Sequence, residues 1–220
     1  MERTAYSALA SHLQSGATIR PVSKLPSHIT IDVAEEYLWV CYEHEVKRRG
    51  GELVRDVATI ERMKLVAMWL IQSKRPWILM YGMECGTGKT TFARAICSLM
   101  NYFYDNKSPY PNLRTVARQV TAIDLCKSYI DDKEQYRRYA ACDTLFIDDM
   151  GIDPASVKDF GNEYSPLLEL LYKRYDNRRT TIITSNISDT QIRERYGARI
   201  DDRLREVCAK INFQGESYRK

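Results

Sequence analysis

One segment constrains this chain more than any other. Gly86-Thr87-Gly88-Lys89-Thr90-Thr91 stands between an apolar run, Trp77-Ile78-Leu79-Met80-Tyr81, and a stretch with Phe92, Ile96, Leu99 and Phe103 at helical spacing. A short run that is apolar throughout suits a parallel strand buried on both faces. Glycines after such a strand let the backbone curl so that successive N–H groups face one anion. The helix that follows adds its free N-terminal amides and the positive end of its dipole. Lys89 is then placed to reach the β- and γ-phosphates of a nucleotide, and the Thr90 hydroxyl to reach Mg²⁺. The expected phosphate cradle is Cys85, Gly86, Thr87, Gly88, Lys89, Thr90 and Thr91. The consensus G-x-x-x-x-G-K-S/T puts its first glycine at Met83, with Gly82 one residue early. That glycine shapes the turn leaving the strand and is not the main phosphate donor, so the cradle is expected to be intact.

The rest of the chain repeats a strand–helix alternation. Residues 1–30 are weakly patterned and read as a short helix and linker, or a partner-docking tail. From about Val33 to Ser73 the pattern is helical, interrupted by Gly50-Gly51. Beyond Pro76, strands are expected at 77–81, 115–120, 144–147, 180–184 and 210–213. Thr121 with Asp124, and Ser188 with Gln191, read as boxes capping helices, and Pro166 takes the favoured first helical position. Strands alternating with helices predict a parallel sheet with right-handed crossovers. The expected organisation is an N-terminal tail and helical extension over residues 1–75 and an α/β core over 76–220.

Two further features bear on a phosphate site. The run Thr144-Leu145-Phe146-Ile147 ends in Asp148-Asp149. Mg²⁺ binds through one or two carboxylates, water and phosphate, and a strand beside the cradle strand delivers such an aspartate at its C-terminal end. Asp148 fits that position, and Asp149 is then placed to orient or deprotonate an attacking water. The polar tip Thr184-Ser185-Asn186 of another strand can hold that water, with Asn186 the best candidate. Arg195, Arg199 and Arg203 recur at four-residue spacing; on the residues alone, surface salt bridging with Asp201, Asp202 and Glu206 is the favoured reading.

Composition removes other classes. Charged residues make up 28% of the 220 and no apolar run approaches a membrane span. No apolar segment after Arg3 reads as a secretory signal, so a cytoplasmic location is expected. The six cysteines form no C-x-x-C pair and the three histidines have no zinc-like spacing. The net charge of +4 is mild, so the basic clusters at 47–49, 137–138, 173–174 and 178–179 do not by themselves establish nucleic-acid contact.

Taken together, these residues resemble the AAA+ ATPases of the DnaC-type helicase loaders and the related IstB-type transposition helpers. The resemblance runs from about Trp77 to Lys220. It is carried by the cradle, by Leu145-Phe146-Ile147-Asp148-Asp149-Met150-Gly151, by Ile182 to Asn186, by Tyr196 to Leu204, and by Gly215-Glu216-Ser217-Tyr218-Arg219. It implies a P-loop NTPase (AAA+ core) with a parallel five-stranded sheet flanked by helices, an N-terminal helical extension and no large C-terminal lid. It further implies that Asn186 is similar to the sensor-1 residue, Arg203 to the arginine finger with Arg199 as second choice, and Arg219 to the sensor-2 arginine. ATP and Mg²⁺ are the implied cofactors.

The function expected from this resemblance is an Mg²⁺-dependent ATPase switch of helicase-loader type in DNA replication, forming a homo-oligomer on ATP. Its partner would be a replicative helicase or, in the IstB-like alternative, a transposase. Single-stranded DNA is a candidate ligand and a membrane is not. A P-loop small-molecule kinase would need an acceptor pocket, and a nucleotide-binding scaffold would barely hydrolyse. A GTPase lacks its guanine-selecting Asn-Lys-x-Asp, since Asn106-Lys107 is followed by Ser108-Pro109.

Overall fold

A computed structural model describes residues 23–104, 117–215 and Tyr218. Five strands form one parallel sheet in the order β2-β3-β6-β1-β7. These are β1 (Trp77–Tyr81), β2 (Arg118–Thr121), β3 (Thr144–Met150), β6 (Thr180–Ser185) and β7 (Cys208–Asn212). The cradle strand β1 is second from one edge, between β6 and β7. Between β3 and β6 the chain also makes an antiparallel hairpin, β4 (Val157–Asp159) and β5 (Asn162–Tyr164).

Strand residues alternate between two cores, as the period of two requires. Ile78, Met80, Phe146 and Ile182 face one side, and Trp77, Leu79, Leu145, Ile147 and Ile183 face the other. The first side is covered by α1 (Ile31–Arg48), α2 (Val57–Gln72) and α3 (Lys89–Tyr104). The second is covered by α4 (Ala122–Asp131), α5 (Lys133–Ala141), α6 (Pro166–Asp176), α7 (Asp189–Tyr196) and α8 (Ala198–Val207).

Helix α1 runs antiparallel to α3. Tyr37, near its start, meets Phe103 at 5.8 Å between ring centroids, while Tyr42 meets Phe92 at 4.4 Å. The end of α1 therefore lies beside the start of α3, where the cradle sits. Leu38, Tyr42, Met63, Val66 and Leu70 bury against Phe92, Ile96 and Phe213 in a shared core.

Local signals place the helix starts. Thr121 accepts from the Asp124 amide at 3.0 Å. Ser188 accepts from Gln191 N at 3.3 Å while Gln191 Oε1 accepts from Ser188 N at 2.8 Å, completing the box. Between Asp149 and Ser165 the sequence reading assigns no element, and the β4–β5 hairpin occupies that stretch. Its two turn residues, Phe160 and Gly161, both have left-handed backbones at φ 48° and 82°. That is the signature of a type I′ turn, here with phenylalanine where asparagine or aspartate is usual. The strand expected at 115–120 is Arg118–Thr121 within the described residues.

Candidate nucleotide-binding and catalytic site

The loop leaving β1 is pressed against the end of β7. Phe213 N donates to Tyr81 O at 2.7 Å. At Gly82 an added Cβ would stand 2.5 Å from Phe213 O, so only glycine fits there. Met83, at the consensus-glycine position, is 65% exposed and has no left-handed backbone. The close approach that needs a glycine has moved one residue upstream, which explains the offset in the motif. The left-handed positions inside the loop are Gly86 and Gly88, at φ 84° and 90°.

Lys89 is 6% exposed. Its Nζ donates to Gly82 O at 2.9 Å, to Glu84 O at 2.8 Å and to Thr87 Oγ1 at 3.4 Å. Burial pushes its pKa down, and the nearby Cys85, Asp149 and Glu84 act the other way. Cys85 is exposed in the cradle, whereas Cys97, Cys126 and Cys208 are buried.

The acidic pair sits on a β-bulge. Ile147 pairs with Ile183 but Met150 pairs with Ser185, so β3 carries one extra residue against β6. A bulge bends its strand and re-aims a side chain. Asp149 takes up the irregularity with φ 57°, a conformation that costs a non-glycine residue of order 1–3 kcal/mol. Neighbours hold it there. Ser185 Oγ donates to Met150 O at 2.6 Å, and Gly151 N donates to Asp153 Oδ1 at 3.0 Å.

The result is that consecutive carboxylates serve different partners. Asp148 Oδ1 accepts from Thr90 Oγ1 at 2.9 Å and from Thr184 Oγ1 at 2.5 Å. Asp149 Oδ1 accepts from Asn186 Nδ2 at 3.0 Å. Thr184 links the two halves, because its hydroxyl oxygen also accepts from Asp149 N at 2.9 Å. Sequence reasoning placed Thr184 in the polar strand tip but chose Asn186 from it and gave Thr184 no role of its own. The signal was present: a buried strand flush with β1 closes on threonine, with Thr184 in register with Met80.

The arginines lie elsewhere. Arg199 and Arg203 are on α8, whose Ile200, Leu204 and Val207 join the core on the far side of the sheet from α3. The Arg203 guanidinium stacks 4.4 Å from the ring centroids of both Tyr172 and Tyr175. Its Nη2 stands 3.9 Å from Asp176, and its Nη1 is buried without a hydrogen bond. Arg199 lies 5.3 Å from the Tyr172 ring. Arg219 lies outside the described residues.

With this geometry in hand, the comparison with known families is decisive. The sequence profile described as IstB-like ATP binding protein matches residues 53–220. The chain belongs to that family. The match begins upstream of Trp77, in the segment leading into α2. No curated protein matches the chain. Among solved structures the IstB-like chain is similar to DnaI, at 19% identity and a TM-score of 0.55 over 76% of this chain and 87% of that one. It is similar to a structure described as a primosome component from Streptococcus pyogenes, at 17% identity and a TM-score of 0.55 over 75% and 84%. It also resembles AMPPCP-bound DnaA from Aquifex aeolicus, at 16% identity and a TM-score of 0.54, over 74% of this chain and 49% of that one. These likenesses show that the IstB-like chain shares its α/β fold with those proteins.

Its residues also fit a nucleotide with magnesium. The ligands offered at the cradle are hard oxygens, a threonine hydroxyl and a carboxylate already within hydrogen-bond distance, which is the donor chemistry Mg²⁺ prefers. No group of three or more His, Cys, Asp or Glu residues that could hold a metal by themselves occurs among the described residues; Mg²⁺ at such a site is ordinarily completed by water and phosphate oxygens.

Proposed function

We propose that this protein is an Mg²⁺-dependent ATPase of helicase-loader type, a switch that ATP assembles into an oligomer and hydrolysis releases. One observation carries the reading: Asp149, oriented by Asn186, stands one peptide from Asp148, which is hydrogen-bonded to the cradle threonine. A metal carboxylate and a separately oriented carboxylate beside a phosphate loop form the constellation for hydrolysing a phosphoanhydride.

In this reading Thr90 and Asp148 would hold Mg²⁺, which neutralises charge on the phosphates when bound. Lys89 exchanges its loop carbonyls Gly82 O and Glu84 O for phosphate oxygens. The amides of the loop and of the first turn of α3 donate to the same anion. Asp149 accepts the proton of the water that attacks the γ-phosphorus as the bond to the leaving oxygen breaks. Asn186 fixes the Asp149 carboxylate and Thr184 fixes that of Asp148. Arg203 of a neighbouring copy, or Arg199, supplies the guanidinium that offsets charge at the transition state, and Arg219 acts from the C-terminal segment. Differential affinity of ATP and ADP for the assembled form drives the switch.

The helicase as partner rests on the sequence resemblance and on structural neighbours that include a primosome component and an initiator bound to single-stranded DNA. The matched IstB-like profile favours a second reading of the same site, an ATPase assisting a transposase on DNA. No described helix is long and apolar enough to cross a membrane. The deciding experiment is a hydrolysis assay paired with affinity capture on the full-length chain. Mg²⁺-dependent phosphate release that Asp149→Asn abolishes supports the ATPase; release unchanged by that substitution would sink it. Capture of a replicative helicase or of a transposase assigns the partner.

A further inference from the structure

Arg219 lies outside the described residues, but Tyr218, the residue before it, is tied to the phosphate loop. Tyr218 N donates to Gly86 O at 3.1 Å. Its hydroxyl donates to Asp56 Oδ2 at 2.7 Å and lies 3.3 Å from Thr59 Oγ1. Its ring flanks Gly88, where an added Cβ would stand 3.9 Å from Cδ2 and Cε2. The segment leading to it is fastened too. Arg62 Nη2 donates to Gln214 O at 2.7 Å, and the Arg62 guanidinium lies 4.4 Å from the ring centroid of Phe213.

A peptide unit is planar and trans, so its C=O and its N–H point in opposite directions. Gly86 O and Thr87 N belong to one such unit. A donor that captures Gly86 O on one side of the loop therefore turns Thr87 N–H to the other side. Free rotation at the left-handed Gly86, φ 84°, would otherwise leave that peptide loosely set. The hydroxyl end of Tyr218 is held firmly. Asp56 is the N-cap of α2 and accepts from Thr59 N at 2.6 Å. Burial would raise its carboxyl, but the hydrogen bonds from Tyr218 and Thr59 hold it below its ordinary value.

We infer that Tyr218 is a positioning residue of the phosphate cradle: its amide sets the Gly86–Thr87 peptide so that Thr87 N–H faces a nucleotide phosphate, and its hydroxyl, anchored on Asp56 and Thr59, keeps that amide in place. The same contact joins the start of α2 to the cradle, so nucleotide affinity and the N-terminal helices are linked through one side chain. This inference rests on the reading of the cradle as a nucleotide site.

The test is a titration of full-length protein with a fluorescent ADP analogue, alongside thermal unfolding without nucleotide and steady-state hydrolysis. Tyr218→Phe keeps the ring and the amide but loses the anchor, and is expected to weaken binding about fivefold; Tyr218→Pro, which removes the N–H, should weaken it about tenfold or more. Asp56→Asn keeps the helix cap and should add nothing to Tyr218→Phe, since both act through one bond. KM should rise with kcat unchanged, because Tyr218 touches no reacting atom, and the unfolding midpoint should stay put. Unaltered affinity in both Tyr218 variants, or a midpoint that falls while affinity holds, overturns the inference. Lys89→Ala separates the two levels. A wild-type chain that binds no better than Lys89→Ala removes the nucleotide site itself, whereas tight wild-type binding with indifferent Tyr218 variants removes only the positioning role.

Discussion

Asn186 Nδ2 donates to Asp149 Oδ1 at 3.0 Å, and the two residues reach this contact from the ends of neighbouring strands. The bond sets the direction of a carboxylate whose backbone is already left-handed at φ 57°. Strain of this kind persists only where surrounding contacts over-determine it. Asp149→Asn should leave ATP affinity intact and lower kcat by about 10²–10⁴, the usual contribution of a positioned general base. Asn186→Ala should lower kcat less, because the carboxylate remains but loses its orientation. Single-turnover hydrolysis with binding measured separately distinguishes these outcomes; equal losses of affinity in both variants would argue for a collapsed loop.

Thr184 holds the two carboxylates in one frame. Its hydroxyl donates to Asp148 and accepts from the Asp149 amide, and its side chain is fully buried. Thr184→Val keeps the shape and removes both bonds. A half-buried amide and a buried carboxylate left short of a partner cost about 1–3 kcal/mol, so denaturant titration should show a loss of that size. Thr184→Ser should recover most of it. A valine variant as stable as wild type would mean that the bulge is held without the hydroxyl.

The offset glycine makes a paired prediction. Gly82→Ala forces a Cβ onto Phe213 O, a backbone atom that cannot move aside cheaply. Overpacking of this sort costs about 1–3 kcal/mol and should loosen the cradle. Met83→Gly restores the consensus yet meets no structural need, since Met83 is exposed with an ordinary backbone. It should leave nucleotide affinity unchanged and destabilise slightly, by about 0.4–1 kcal/mol through the freer unfolded chain. Unfolding midpoints and nucleotide titrations of the two variants check both halves.

Met83 also marks where the sequence was legible and where it was not. The parallel sheet could be read because Trp77 to Met80, Leu145 to Ile147 and Ile182 to Ile183 are apolar on both faces, and that pattern is local. The cradle could be read because Gly86, Gly88 and Lys89 are needed for reasons internal to the loop. The contact that makes glycine obligatory at Gly82 comes from Phe213, far along the chain, and no local pattern announces it. The same holds for the bulge at Asp149, which depends on the register of β3 against β6. The hairpin at 157–164 escaped because its strands are three residues each and its turn carries Phe160, 95% exposed, in a left-handed backbone. The resemblance, not the spacing, implied a finger at Arg203, and its sandwich between Tyr172 and Tyr175 required knowing that α6 and α8 are neighbours.

That sandwich shapes the last prediction. Arg203 is held by two rings of its own chain, with its side chain 17% exposed and Nη1 without a hydrogen bond. Stacking keeps the guanidinium largely covered, so reaching a neighbouring copy requires it to swing clear of the two rings. Arg203→Ala should spare ATP binding and reduce hydrolysis on the order of 10³, as loss of an arginine finger does. The proposal that the arginine resides on a different copy from the site it completes has a sharper consequence. Chains carrying Arg203→Ala keep Asp149, and chains carrying Asp149→Asn keep Arg203. Each is inactive alone, but a mixture forms junctions in which one copy supplies the base and the next supplies the arginine. Hydrolysis should therefore reappear on mixing and rise with total protein concentration. An inactive mixture that still assembles on ATP would place the arginine's role within its own chain, as a brace between α6 and α8.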